Sequence, residues 1–106
     1  MDDRKRTVMY YFNKDGDTMT MNEWMSAMAV DDPSVDVSIV DGATVSTVWI
    51  GLSNTKQYPT RIFETMVFSN DSKVDGHTRR YDTLDEAFAG HADVVSWIQS
   101  ESGTVS

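Results

Sequence analysis

The chain has 106 residues and a formal net charge of −8, from 17 acidic and 9 basic side chains, and 40% of it is hydrophobic. That length fits one folding unit, residues 1–106, and three Trp with four Phe and four Tyr supply enough apolar surface for a core, which excludes a disordered chain. There is no cysteine, so disulfides and thiolate zinc sites are excluded, and the acidic balance has the wrong sign for a nucleic-acid footprint.

From the start, "MDDRKRTV" is charged and lacks the apolar stretch of a secretory signal. No run of 18 apolar residues follows, so no membrane span is expected, and the cytoplasm is the default location. Residues 1–5 and 101–106 are expected to fray. "RTVMYYF" (Arg6 to Phe12) is β-branched and aromatic and reads as a strand; "NKDGD" turns the chain, and "TMT" returns as a short second strand. Thr20 followed by Glu23 forms a capping box, with a short helix over "MNEWMSAMA". Trp24, Ala27 and Met28 fall at helical spacing, and Met21 and Met25 widen that apolar face. Pro33, in "DDPS", prevents the helix from continuing.

The clearest hairpin signal comes next: "VDVSIV" (Val35 to Val40), an Asp41-Gly42 turn, and "ATVSTVWIGL" running back. On the return, Val45, Thr47, Trp49 and Gly51 point one way, and Thr44, Ser46, Val48, Ile50 and Leu52 the other. Large residues on both sides predict a central strand packed on part of both faces. "RIFETMVF" (Arg61 to Phe68) is a further strand, with Ile62, Glu64, Met66 and Phe68 opposed to Phe63, Thr65 and Val67. Polar loops bracket it, "SNTKQYPT" before and "SNDSKVDG" after. "HTRRYD" (His77 to Asp82) reads as a charged edge strand, with His77 solvated.

The last element is a helix opened by a second capping box, Thr83 with Glu86. Leu84, Ala87, Phe88, His91, Val94, Val95 and Ile98 form its apolar stripe, and Gly103 ends it. The sum is an α+β fold: an antiparallel sheet of four to five strands, with a short helix in the N-terminal half and a longer C-terminal helix packed on it.

Chemistry-bearing patterns are few. "NKDGDTMTMNEW" (Asn13 to Trp24) imitates a calcium loop, but aligning Asn13, Asp15 and Asp17 to the first ligand positions puts Thr18 where glycine is required and Trp24 where glutamate is required. It reads as a polar turn before a capped helix, and no metal or cofactor is expected. His91 lies on the apolar stripe of the last helix, and such a histidine is expected to be a hydrogen-bonded core residue. Glu64, mid-strand, is a candidate partner for it as a buried polar pair. Arg61, Arg79 and Arg80 could together hold an anion, although an edge strand carries such charges for solubility. The chain has no cysteine nucleophile, no Gly-x-Ser-x-Gly elbow and no glycine-rich phosphate loop, so no catalytic residue is assigned.

The segment "VSTVWIGL…P.RIFETMVF…RRYDTLDEAFAGHADVV", Val45 to Val95, resembles a family of small proteins of tailed bacteriophages and prophages, especially those of actinobacteria. The matching positions are Val45 to Leu52, Pro59, Ile62 to Phe68, Arg80-Tyr81, and Glu86, Ala87, Gly90 and His91, with Gly16 to Trp24 similar to the family's upstream helix. Where its members carry Asp-His after "GL", this chain has "SNTKQY". The resemblance covers about half the chain and implies a phage origin, with no mechanism attached.

The expected function is binding to a host or phage protein in the host-cell cytoplasm, as an inhibitor of host machinery or defence in the manner of anti-CRISPR proteins. Its candidate surface is the acidic loop set Asp15, Asp17, Asp31, Asp32, Asp71 and Asp75. One alternative is a virion or replication accessory protein that self-associates through a strand edge. Another is a small enzyme or ligand-binding domain using His91 and Glu64.

Overall fold

The computed structural model describes residues 8–30 and 32–103. Strand β1 (Tyr10–Phe12) pairs antiparallel with β2 (Thr18–Met19) across the Asn13–Asp17 turn. Helix α1 (Met21–Val30) follows, then β3 (Ser34–Val40), β4 (Ala43–Trp49), β5 (Leu52–Ser53), β6 (Phe63–Phe68), β7 (Thr78–Tyr81) and α2 (Leu84–Gly103). The architecture is α+β, but the strands form two antiparallel sheets in place of one. The smaller has the order β2-β1-β5 and the larger β3-β4-β6-β7.

The division arises inside the segment Ala43 to Leu52, where sequence alternation predicts one uninterrupted strand. β4 stops at Trp49, and Ile50 and Gly51 carry the chain out of the larger sheet before Leu52 pairs with Tyr11 in the smaller one. Gly51 permits this. Its φ is +69°, and an added Cβ would lie 2.6 Å from the Trp49 ring and 2.8 Å from Trp24 Nε1. Hydrogen bonds then lock the junction. The Trp24 indole donates to the Ile50 carbonyl, the Trp49 indole to that of Phe12, and the amides of Ile50 and Gly51 both reach the Ile62 carbonyl.

Asp41 and Gly42 both have positive φ, the condition for the two-residue turn whose twist matches a hairpin. Each capping box is reciprocal. Thr20 N–H donates to Glu23 and Glu23 N–H to the Thr20 hydroxyl, and Thr83 and Glu86 repeat the exchange. α2 packs across all four strands of the larger sheet. Under it lie two groups of buried side chains. Ala43, Val45, Val67, Val74, Val94 and Ile98 form one, while Phe12, Trp49, Ile62, Phe63, Tyr81 and Ala87 form the other, beneath α1 and the smaller sheet.

Several local expectations change. Met21, Met25 and Phe88 face solvent, so both helices present narrower apolar faces than their spacing implies. Ile62 is fully buried ahead of β6, not on the Glu64 side of the strand. The polar loop after β6 contributes the buried Val74, and His77 is half-buried against the Trp97 ring, 4.7 Å between centroids. α2 runs through Gly103; residues 1–5 and 104–106, where fraying is expected, lie outside the described residues. No described helix is long and apolar enough to cross a membrane.

The two faces of the larger sheet differ. Beneath α2, Ala43, Val45, Thr47 and Trp49 of β4 and Phe63, Thr65 and Val67 of β6 are buried. On the outer face the register sets Ile39 beside Thr44 and Thr44 beside Phe68, and Val37 beside Ser46 and Ser46 beside Met66. Ile39 is 80% exposed, Val37 53% and Phe68 53%. The second face of β4, which α2 does not cover, is half-buried at Thr44, Ser46 and Val48.

Candidate functional site

The densest buried polar cluster centres on His91, which is 3% exposed. Helical spacing places it between Ala87 and Val94 on the buried side of α2, over β3 and β4. Its Nε2 is 2.8 Å from the Ser38 hydroxyl and its Nδ1 is 2.7 Å from that of Thr47, which is itself hydrogen-bonded to Thr65. The half-exposed Asp36 carboxylate lies 3.7 Å from Nε2. A neutral imidazole needs one donor and one acceptor, and a hydroxyl can be either, so this chain of groups satisfies itself.

A hydroxyl beside an imidazole is also the start of a nucleophile–base pair. Here, however, neither Ser38 nor His91 lines the five clefts formed around β7, α2, the smaller sheet and the loop before β6. The ring's second nitrogen meets a threonine where an orienting carboxylate would serve a triad. The cluster ties α2 to β3 and β4 directly and to β6 through Thr65.

Glu64 does not join it. It stands on the outer face, opposite Arg80 in the register, and accepts a hydrogen bond from Arg80 Nε at 3.3 Å. Strand alternation separates it from His91, because its neighbours Phe63 and Thr65 take the buried side. The predicted Glu64–His91 pair is therefore corrected to two separate sites on opposite faces.

Arg61, Arg79 and Arg80 do come together, lining a cleft of about 580 Å³ between β7 and α2. Asp82, Glu86 and Asp93 line it too, so three formal positive charges meet three negative ones. Asp82 accepts the Arg61 N–H and Glu86 those of Asp82 and Thr83, which commits both carboxylates to backbone groups. The same carboxylates raise the pKa of the exposed Tyr58 hydroxyl, Glu86 contributing most and Asp82 next, because a phenolate there would face like charge. Tyr81 forms part of the wall. Its ring would meet a Cβ at Gly90 at 2.1 Å, and its buried hydroxyl has no hydrogen-bond partner among the described residues.

The acidic loops do not form one surface. Asp15 and Asp17 occupy the β1–β2 turn, where Asn13 Oδ1 accepts both their N–H groups, and Lys14 reaches the Asp32 carbonyl at 3.4 Å. Asp71 and Asp75 occupy the β6–β7 loop, anchored by Val74 at the opposite end of the sheet. The seven residues of β4 separate the two ends by roughly 20 Å. Asp32, Asp71 and Asp75 each accept a backbone N–H, from Ser34, Lys73 and Ser69. Asp31 lies outside the described residues. Among the described residues no group of three or more His, Asp or Glu is placed to hold a metal ion.

The feature that sequence reasoning missed is the open outer face. Its signal was present in the alternation of β3, where Val37 and Ile39 oppose Asp36 and Ser38, but pattern alone does not say which side receives the helix. Comparison with protein-family models, with characterised proteins and with solved structures finds no match to this chain.

Proposed function

We propose that the protein acts by binding another protein through the outer face of the four-stranded sheet. One observation carries this reading. In a chain of net charge −8, the outer face presents Val37, Ile39, Met66 and Phe68 around Thr44 and Ser46. Its only described charges, Glu64 and Arg80, pair with each other. An uncharged apolar area within a charged surface is the composition of an interface centre, and the aspartate loops at the two ends of the sheet are suited to its polar rim. The partner is a host or phage protein in the host cytoplasm, with host defence machinery as the target class, in keeping with the phage-type resemblance. The role is non-catalytic.

The test is capture of a stoichiometric partner from a bacterial host lysate by the tagged chain, compared with Ile39→Lys/Phe68→Lys and with Asp71→Asn/Asp75→Asn. Loss of the captured protein in the first variant alone is the expected result. Capture that survives the lysines but not the asparagines would move the interface to the acidic loops and overturn this one. A second reading, an accessory part of the virion or replication apparatus that self-associates, is favoured by the free side of β3, along which no described backbone pairs.

A further inference from the structure

The two edges of the larger sheet are finished differently. β7 is four residues long and carries Arg79 and Arg80, a short charged edge that resists further pairing. β3 is seven residues long, "SVDVSIV", with no lysine, arginine or internal proline, and its protection is confined to Asp36 and the irregularity beside it at one end. Among the described residues no strand, helix or loop backbone pairs along its free side. The register shift between Ser34 and Asp36 turns Val35 into the core, which leaves Asp36 to Val40 as the regular, pairable stretch.

We infer that this edge pairs antiparallel with β3 of a second copy, around a two-fold axis at Ser38. In that register Ser38 faces Ser38 of the other copy, Val37 faces Ile39, and Asp36 faces Val40. Two Val–Ile cross-strand contacts then cover the two most exposed β-branched residues of the strand. The register separates the two Asp36 side chains from each other. The two Asp36 carboxylates fall four residues apart along the seam, roughly 14 Å, beyond a Debye length of about 8 Å at physiological salt. Asp36 also falls beside Asp41 of the other copy, the residue after Val40, so two like-charge approaches, roughly 6 Å apart between Cα atoms, remain at the ends of the seam and weaken the dimer.

The helices fit as well. α2 touches all four strands, so it is centred about 7 Å inside the edge. Two copies side by side keep their helices roughly 19 Å apart, clear of the 8–10 Å at which helices collide or pack. Five paired residues bury less than the standard interface of roughly 1,600 Å², so the dimer is weak and concentration-dependent. This inference rests on the protein-binding reading only in assigning β3 to contact.

Sedimentation equilibrium of the purified full chain tests it, with Ile39→Lys as the seam variant and circular dichroism checking its fold. The expected result is a reversible dimer that Ile39→Lys weakens at least about tenfold, since a lysine replaces the apolar partner of Val37. Because the chain has no native cysteine, Val37→Cys and Ile39→Cys chains can be mixed under oxidation, and the mixture cross-links more than either variant alone. A chain that stays monomeric at millimolar concentration, a dimer indifferent to Ile39→Lys, or Val37→Cys cross-linking alone as well as in the mixture would each overturn the proposal. Capture of a different protein from lysate bears on the function reading and is unaffected by the chain being a monomer.

Discussion

Thr47 stands between two groups that both depend on it. Its hydroxyl meets His91 Nδ1 and the Thr65 hydroxyl, in a part of the core that water does not reach. Replacing it with the isosteric valine orphans both neighbours, and Thr47→Val is expected to cost about 1–3 kcal/mol, the penalty for a buried polar group without a partner. Thr65→Val leaves Thr47 still bonded to His91 and costs less. The double variant costs less than the two singles summed, since each removes a partner the other no longer needs. Urea unfolding of the three variants measures all of this; additive costs would show that the three groups do not act as one network. His91 itself was legible as a buried, bonded histidine from its place in the stripe. Its partners were not, because Ser38 and Thr47 are 53 and 44 residues away in the chain and sequence spacing carries no information about contacts between strands and a later helix.

Both helices begin with the same device and differ in what they bury. α2 sets Ala87, His91, Val94 and Ile98 into the core, whereas α1 has no fully buried residue and rests on the smaller sheet through Trp24, Ala27 and Met28. Helices in proteins owe most of their stability to the packed face. Thr83→Ala is therefore expected to lower global stability by about 1 kcal/mol. Thr20→Ala removes a similar local contribution but shows itself chiefly as faster amide exchange over residues 21–30, with a smaller shift of the global midpoint. Hydrogen exchange followed alongside denaturant unfolding separates the two; equal global losses would mean that α1 unfolds only with the rest. The capping boxes, the Asp-Gly hairpin and the charged edge strand were all readable, because each is decided within a few residues. The exit of the chain at Gly51 was not, since alternation continues through Ile50 and Leu52 and only the close approach of Trp24 and Trp49 makes a side chain impossible there.

At the scale of the whole molecule, the outer face of the larger sheet combines exposed Val37, Ile39 and Phe68 with few charges. The described aspartate loops lie at the two ends of the larger sheet, and its outer face between them is nearly uncharged. Association of two copies brings −8 against −8, a repulsion that added salt screens. The self-association constant is accordingly expected to rise between about 50 and 300 mM salt, a span over which the Debye length shortens appreciably. A complex with a basic partner, steered by the aspartate ends, would weaken over the same range. Running both titrations on one preparation distinguishes contact through the sheet from contact through the loops, and a dimer that loosens with salt would place charge in its seam.

The sequence by itself determined the class of the fold, the two helices and the strands other than β5, the caps and turns, and the acidic character of the chain, because these follow from short-range stereochemistry and from composition. Only the tertiary structure decided that the strands divide between two sheets, that Glu64 and His91 lie on opposite faces, and that the acidic loops part to opposite ends. It also decided which side of β3 and β4 the long helix covers. An alternating strand has two faces that sequence can tell apart but cannot assign. The choice is made by the one helix long enough to cover a face, and the face it leaves uncovered exposes Val37, Ile39 and Phe68.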